Sequence, residues 1–324
     1  MIIGTPASGK SRLEIKEIEQ ILSSSDDMIY VIDTNGDIVS HYESNEQAYI
    51  IDPVRQDYGF NLFKYYDDDG SCVYDESMLF YDIIKISNNG IMPLVEQQNA
   101  VRNILHSKYL SNIGSGTQLK FSNICNLIKD YSKDCIDIID NVAEYYDIFN
   151  DFETGKISDL RSLNGKRLFI YDLSNIIDSF KQISAEICLF DIYQYLNITK
   201  HDGIRYSWVY INDIDLYFNN NAYDLLELVW KSARMLKGIL TGITMTASKL
   251  CGDHKFSAVL ANTSWLFILN QTKSEALWLS TVYCDHDARK DFVNDVCGND
   301  AGTGIIISPG DCMSNISNRI SFID

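Results

Sequence analysis

Basic residues are scarce in this sequence. The 324 residues include 27 Lys and Arg against 45 Asp and Glu, which gives a formal net charge of -18 at pH 7 and a pI near 4.6. A surface that binds nucleic acid needs clustered Lys and Arg, because these residues release the counterions of the phosphate backbone. The composition therefore argues against a strong nucleic-acid surface, and any DNA contact would have to be local.

Long hydrophobic runs are also missing. The most apolar stretch, residues 229–247, is interrupted by Lys231, Arg234 and Lys237, whereas a helix that crosses a bilayer needs about 20 predominantly apolar residues. The first residues do not have the pattern of a signal peptide either. We therefore expect a cytoplasmic protein.

Cysteines occur without the paired spacing of metal-binding or disulfide-rich proteins. The eight cysteines are scattered and contain no C-x-x-C pair, so we predict reduced thiols in a cytosolic compartment. Cys251 with His254, and Cys284 with His286, could each supply half of a zinc site. Their separation and the lack of a second paired pattern argue against that interpretation.

A complete phosphate-binding motif lies close to the amino terminus. Residues 4–11 read G-T-P-A-S-G-K-S, which fits G-x-x-x-x-G-K-[ST] between an apolar strand end and a helical segment. In such a loop backbone N–H groups surround the phosphates, Lys10 reaches the β- and γ-phosphates, and the Ser11 hydroxyl binds Mg²⁺. The alternative is a chance glycine turn. We predict nucleoside triphosphate binding by Gly4, Thr5, Pro6, Ala7, Ser8, Gly9, Lys10, Ser11 and Arg12.

Short apolar runs that close on polar residues recur along the chain. Residues 28–33 end in Asp33, residues 166–172 end in Asp172, and residues 207–211 precede Asn212 and Asp213. Such runs between helical segments predict an α/β fold with a mostly parallel sheet, whose ligand site lies at the carboxyl ends of the strands. Further strands are predicted at 48–51, 240–245, 265–269 and 304–308, and helices at 12–22, 179–196 and 223–237.

The pattern changes in the middle of the chain. Apolar residues between 73 and 160 recur at helical spacing, for example Val101, Ile104 and Leu105. We predict an all-helical insertion over 73–160, with residues 1–72 and 161–324 forming the two parts of the α/β core. Asp67–Asp69 lack the spaced oxygen ligands of a calcium loop, so we interpret them as a solvated turn.

The ordered set of these motifs resembles the carboxyl-terminal ATPase domain of the VirB4 family, the type IV secretion and conjugative-transfer ATPases, in the version carried by conjugative transposons of Gram-positive bacteria. The resemblance covers nearly the whole chain, with the insertion in the family's place. It is carried by residues 4–11, 32–33, 166–172, 208–213, 241–244, 262–264, 269–271 and 302–304.

This resemblance implies a RecA-like P-loop NTPase fold of the HerA and FtsK type. It also implies a hexameric or dimeric ATPase that uses ATP and Mg²⁺ at the cytoplasmic face of membrane-embedded secretion-channel proteins. The family's amino-terminal domain, which attaches to the channel, has no counterpart in these residues. We therefore expect Met1 to be an internal residue of a longer or split protein, and docking at the membrane stays open.

Three positions depart from the family pattern. The family has Asp-Glu in the Walker B motif, where this chain has Asn212 and Asp213, and it has Gln where this chain has Met245. Asn212 supplies no charge to Mg²⁺, Asp213 is one methylene shorter than Glu, and a thioether cannot donate a hydrogen bond. Use of Asp213 in place of residue 212 is disfavoured, because alternate strand residues face opposite sides. We predict ATP binding with slow or absent hydrolysis.

The resemblance also implies roles for individual residues. Lys10, Asn212, Asp213 and Arg234 take catalytic positions, with Ser11 and Asn212 as Mg²⁺ ligands. In a ring, Arg234 could reach the γ-phosphate of a neighbouring subunit. Alternatively, its positive charge merely favours the negative end of its helix.

The resemblance also bears on two acidic residues after the second predicted strand. Asp33 and Asp37 match acidic family positions, with a capping or turn role as the alternative for each. The alternatives to a hydrolysing subunit are a structural subunit that binds ATP without hydrolysis and a DNA translocase of the FtsK and coupling-protein type.

Overall fold

A computed structural model describes residues 1–55, 58–60, 159–199, 205–218, 224–246, 256–307 and 319–321, together with positions 82, 95, 98, 99, 102–104, 107, 125, 126, 157 and 248. Nine strands in this part of the chain form one sheet. They are β1 (Ile2–Ile3), β2 (Met28–Asp33), β3 (Ala48–Ile51), β4 (Leu168–Asp172), β5 (Ser207–Ile211), β6 (Gly238–Thr244), β7 (Leu266–Ile268), β8 (Thr303–Ile307) and β9 (Arg319–Ser321).

The strand order is β3-β4-β2-β5-β6-β1-β7-β8-β9. All pairings from β3 to β7 are parallel, and the pairings of β7 with β8 and of β8 with β9 are antiparallel. The predicted α/β fold with a mostly parallel sheet is therefore confirmed.

Helices cover both faces of the sheet. The helices with described bounds are α1 (Lys10–Ser24), α2 (Asp37–Tyr42), α3 (Asp178–Thr199), α4 (Ile214–Tyr217), α5 (Asp224–Ser232), α6 (Phe256–Ala261), α7 (Lys273–Tyr283) and α8 (Arg289–Gly298), and two short 3₁₀ turns lie at Pro53–Arg55 and Leu160–Ser162.

Residues of β2 show how the hydrophobic cores on the two faces of the sheet are divided. Ile29 and Val31 belong to a core with α1 and α2, whereas Tyr30 and Ile32 belong to a larger core with α3 and α5. Successive strand residues point to opposite faces, so a strand covered on both sides reads as a continuous apolar run. This is the pattern by which β2 and β4 were predicted.

The strand order places the chemistry-bearing loops at one edge. β1 leads into the phosphate-binding motif, and β5 leads to Asn212, with β6 between them. The backbone N–H of Asn212 donates to Ile32 O on the neighbouring β2 at 3.2 Å. The loops after β1, β2 and β5 therefore meet at the carboxyl edge of the sheet.

The predicted helical insertion lies largely outside the described residues, as does the Asp67–Asp69 turn. The described positions from 82 to 126 are all helical. Residues before the predicted insertion meet its last residues, because Tyr58 and Ile157 form a parallel bridge and Gly59 N donates to Ile157 O at 2.7 Å. The boundaries of the insertion stay a prediction. No helix in the described ranges combines the length and hydropathy needed to cross a membrane.

Candidate functional site

The loop between β1 and α1 has a backbone that depends on two glycines. Gly9 precedes α1 with φ of 101°, a left-handed conformation, and glycine adopts it without the steric cost of a Cβ. A Cβ on Gly4 would lie 2.3 Å from Ser8 Oγ and 3.0 Å from Leu269 Cβ. Both motif glycines are therefore required by the shape of the loop.

Lys10 folds back across this loop. Its Nζ donates to the carbonyl oxygens of Gly4 at 2.7 Å and Thr5 at 2.9 Å. Burial lowers the pKa of Lys10, while the charges of Asp213, Asp215 and Asp37 act in the opposite direction. No side chain caps the amino terminus of α1 at Gly9. The loop thus presents an ammonium group and uncapped helix N–H groups to one concave space, an arrangement that binds anions.

Segments far apart in the sequence hold the loop in place. Gly4 N donates to Thr244 O at 3.1 Å, and Gly302 N donates to Ser8 O at 3.1 Å. Thr5 donates to Asn270 O through its backbone N–H at 2.9 Å and through Oγ1 at 3.0 Å. The motif segments near residues 244, 270 and 302 are therefore brought together around the phosphate-binding loop.

Asp33 acts as a cap for the turn after β2. Its carboxylate accepts four backbone N–H groups at 2.9 to 3.2 Å, from Asn35, Gly36, Ile38 and Val39. Burial raises the pKa of Asp33, and the four N–H groups oppose that shift. Both carboxylate oxygens are occupied, which gives Asp33 the turn role held as an alternative.

Asp37 lies where that turn enters α2. Its Oδ2 accepts a hydrogen bond of 3.0 Å from Ser11 Oγ. This contact joins the phosphate-binding loop to the loop after β2. Asp172, at the end of β4, instead accepts hydrogen bonds from the Ser174 N–H at 2.9 Å and the Ser174 hydroxyl at 2.6 Å.

Asn212 and Asp213 follow β5 and are both buried. Oδ1 of Asn212 has no hydrogen-bond partner among the described residues. Asp213 has φ of 51°, and its Oδ2 accepts from Thr34 Oγ1 and Asn35 Nδ2, each at 2.7 Å. Because β5 ends at Ile211, strand alternation does not reach Asp213.

Glu14 lies next to the site, and no motif in the sequence indicated it. It lies on the buried face of α1, one turn after Ser11, and is 1% exposed. The Asn212 side chain lies within reach of the Glu14 carboxylate, but neither carboxylate oxygen has a hydrogen bond of good geometry with a described residue. Burial raises the pKa of Glu14 well above its ordinary value, the charge of Asp33 adds to this shift, and the Asn212 side chain opposes it.

Thr34 and Asn35 were missed for a different reason. They read as turn residues, and their contacts with Asp213 span 179 and 178 positions of sequence. Only the pairing of β2 with β5 brings them to the site.

Two other predicted residues occupy different edges of the sheet. Met245 directly follows β6 and is half-buried at the carboxyl edge. Arg234 is exposed in the turn before β6, where Lys237 O accepts from Ser207 N at the start of β5. Arg234 therefore lies at the amino edge and is not brought to Lys10 of its own chain.

The zinc interpretations gain no support from the described residues. Cys251 and His254 lie outside them, Cys284 is buried, and His286 is exposed beside Asp287. Among the residues that the structure describes, no group of three His, Cys, Asp or Glu side chains is arranged to hold a metal ion.

Solved structures share this fold. VirB4 of Thermoanaerobacter pseudethanolicus matches with a TM-score of 0.74 at 12% identity, over 99% of this chain and 87% of that chain. The unbound bacterial conjugative coupling protein TrwBΔN70 matches with a TM-score of 0.69 at 13% identity, over 99% and 84%. The plasmid coupling protein TrwB in complex with ADP and Mg²⁺ matches with a TM-score of 0.68 at 11% identity, over 99% and 84%.

These matches confirm the predicted RecA-like P-loop fold and the resemblance to VirB4 at the level of the fold. No protein-family model matches the chain, and no curated protein matches it in sequence.

Proposed function

We propose that this chain is an ATP-binding subunit of the VirB4 type, in which residues 4–12 hold the triphosphate at the carboxyl edge of the sheet. One observation carries the proposal. The Lys10 ammonium and the uncapped start of α1 converge on a loop whose backbone Gly4 and Gly9 make possible. On binding, phosphate oxygens replace the carbonyls of Gly4 and Thr5 as acceptors for Lys10.

The residues beside the loop fit Mg²⁺. This ion prefers oxygen ligands, and the Ser11 hydroxyl lies next to the Asp37 carboxylate, while the Asn212 amide oxygen lacks a partner among described groups. Ser11 and Asn212 would hold the ion or its water. When bound, Mg²⁺ neutralises charge on the phosphates.

We further propose that hydrolysis is slow. Asn212 carries no charge, and Asp213 already accepts two hydrogen bonds on Oδ2, so it is held against the loop after β2. Met245 has no hydrogen to donate to a phosphate or a water. The phosphate-binding groups are therefore complete, while three groups suited to positioning the attacking water are altered.

Two measurements on the purified protein test this proposal. We expect saturable binding of a fluorescent ATP analogue with Mg²⁺, and phosphate release close to that of a Lys10→Ala blank. Absence of analogue binding at millimolar magnesium would refute the ATP-binding proposal. Turnover of about 1 per second or faster, a rate typical of enzymes, would refute slow hydrolysis alone.

Assembly into a homo-oligomer, a hexamer or a dimer, is part of the proposal. Arg234 lies at the opposite edge of the sheet from Lys10 of its own chain, so an arginine-finger role requires a second subunit. Sedimentation velocity with and without the ATP analogue tests this, and we expect a larger species with nucleotide. Membrane-embedded secretion-channel proteins are the proposed partners, at the cytoplasmic face of the membrane.

A DNA translocase of the coupling-protein type is the second candidate. It is favoured by the match to TrwB, whose TM-score is near that of VirB4, and opposed by the net charge of -18. Stimulation of ATP turnover by double-stranded DNA would support it. We expect no stimulation.

A further inference from the structure

The contact between Ser11 and Asp37 joins two loops that sequence places apart. Ser11 Oγ donates to Asp37 Oδ2 at 3.0 Å, over 26 residues of sequence. Ser11 is the residue whose hydroxyl is proposed to bind Mg²⁺, so Asp37 is the carboxylate in direct contact with that ligand. Asp37 is exposed at the start of α2.

The oxygens of three neighbouring acidic groups are less available for direct contact with an ion at this point. Both oxygens of Asp33 accept backbone N–H groups. Oδ2 of Asp213 accepts two side-chain hydrogen bonds from the loop after β2. The carboxylate of Glu14 is buried within the protein, whereas Ser11 and Asp37 reach the solvent-facing side of the loop.

A second observation points to a ligand at this place. Oδ1 of Asn212 is buried and has no partner in the described part of the chain, although Asn212 is only 8% exposed. Buried polar atoms normally have a partner. Asn212 follows β5 at the same carboxyl edge of the sheet as the phosphate-binding loop, and its side chain contacts Glu14, one turn after Ser11 on α1. A cation, or a water that a cation holds, satisfies that oxygen.

We propose that Asp37 supplies the negative charge at the magnesium ion, in place of the acidic residue expected at position 212. The charge expected at the end of β5 is absent, and Asn212 keeps an oxygen ligand without that charge. This inference rests on the proposed function and deepens it, since it assigns a residue of the same site.

The test measures how strongly magnesium improves binding of a non-hydrolysable ATP analogue. Dissociation constants are compared in magnesium and in EDTA for the wild type, for Asp37→Asn, and for Asp37→Asn combined with Asn212→Asp. Asp26→Asn is the matched control, because Asp26 is an exposed carboxylate just before β2 at the amino edge of the sheet. Electron paramagnetic resonance of Mn²⁺ reports metal binding directly.

We expect Asp37→Asn to lose about 10- to 100-fold of the magnesium-dependent affinity, the range seen when a group that supports a metal site is removed. Its affinity in EDTA stays within about twofold of the wild type, which shows that the variant is folded. The double variant regains most of the loss, and Asp26→Asn resembles the wild type in both conditions.

One result overturns the assignment alone, namely a wild-type response to magnesium and Mn²⁺ in Asp37→Asn. If Glu14→Gln loses that response in the same experiment, the charge at the ion belongs to Glu14 instead. Absence of analogue binding by the wild type in both magnesium and EDTA would overturn the proposed function together with the assignment.

Discussion

The loop after β1 and the loop after β5 face the same edge of the sheet, yet they keep the nucleotide-binding pattern to different degrees. The first has each group of the motif in place, and distant segments of backbone hold it. The second has a neutral Asn212 and an Asp213 tied to Thr34 and Asn35. Phosphate binding depends on many backbone groups together, whereas positioning a water depends on a few side chains. Binding and turnover can therefore separate in one fold.

The largest effect is expected when the family's side chains are restored at positions 212, 213 and 245. In Asn212→Asp, Asp213→Glu and Met245→Gln combined, we expect ATP hydrolysis to rise about 100-fold, because misplacement of a catalytic group by about 1 Å has a cost of that size. Phosphate release under saturating ATP measures it. Asp172→Asn in the same background is the control, since Asp172 contacts Ser174. A large gain would favour the structural-subunit alternative for the wild type, and no gain would refute our account of slow hydrolysis.

The second prediction concerns the Lys10 ammonium group of the phosphate-binding loop. We expect Lys10→Ala to weaken binding of the ATP analogue about 10- to 100-fold, since hydrogen bonds to charged groups contribute about 1.5–3 kcal/mol each. Lys273→Ala, at an exposed lysine of α7, controls for loss of a positive charge. Equal affinities of the two variants, measured by calorimetry, would contradict the assigned role of Lys10.

The next prediction concerns the effect of the buried Glu14 carboxyl group on folding stability. We expect Glu14→Met to raise the free energy of unfolding at pH 8 by about 1–3 kcal/mol, because a buried carboxyl group without a hydrogen bond of good geometry is removed. The pKa of folded Glu14 lies above the ordinary value of 4.5, so the folded chain keeps a proton that the unfolded chain releases. The wild type therefore loses stability as pH rises above about 4.5, and the gain of the variant grows in the same direction.

Urea unfolding at pH 5 and pH 8 measures this effect. Glu43→Met, at an exposed glutamate after α2, is the matched control. A gain of equal size at both pH values would show that Glu14 is ionised to the same extent in the folded and unfolded chain, contrary to our expectation.

The smallest effect is expected for Arg234, at the amino edge of the sheet. In a dilute monomer, Arg234→Ala should change affinity for the ATP analogue by less than about twofold, as for a typical surface substitution. In the assembled oligomer the same change should lower whatever ATP turnover is present. A clear loss of affinity in the monomer, measured by fluorescence titration, would argue against a role across subunits.

Local pattern was enough to predict several elements. Residues 48–51 and 207–211 were predicted as strands and form β3 and β5 over the same ranges. Apolar runs and the phosphate-binding motif act over short distances, which a sequence displays directly. The helix predicted over 223–237 instead ends at Ser232, because a turn with Lys237 at φ of 53° leads into β6.

Other elements were missed although a signal was present. α7 begins after Thr272, whose side chain accepts the Glu275 N–H, and this Thr-x-x-Glu spacing is the capping-box pattern. In contrast, the contact of Ser11 with Asp37 and that of Asp213 with Thr34 depend on which strands pair. Strand order is a long-range property, so neither contact could be read from spacing.

The turn that Asp33 closes has a consequence for ligand binding. One buried carboxylate gathers four amides there, so the segment that carries Thr34, Asn35 and Asp37 is already ordered in the free protein. A ligand that meets a rigid segment loses little affinity to the entropy of ordering it. Under the proposed function, this order in the segment favours retention of nucleotide whether or not the nucleotide is cleaved.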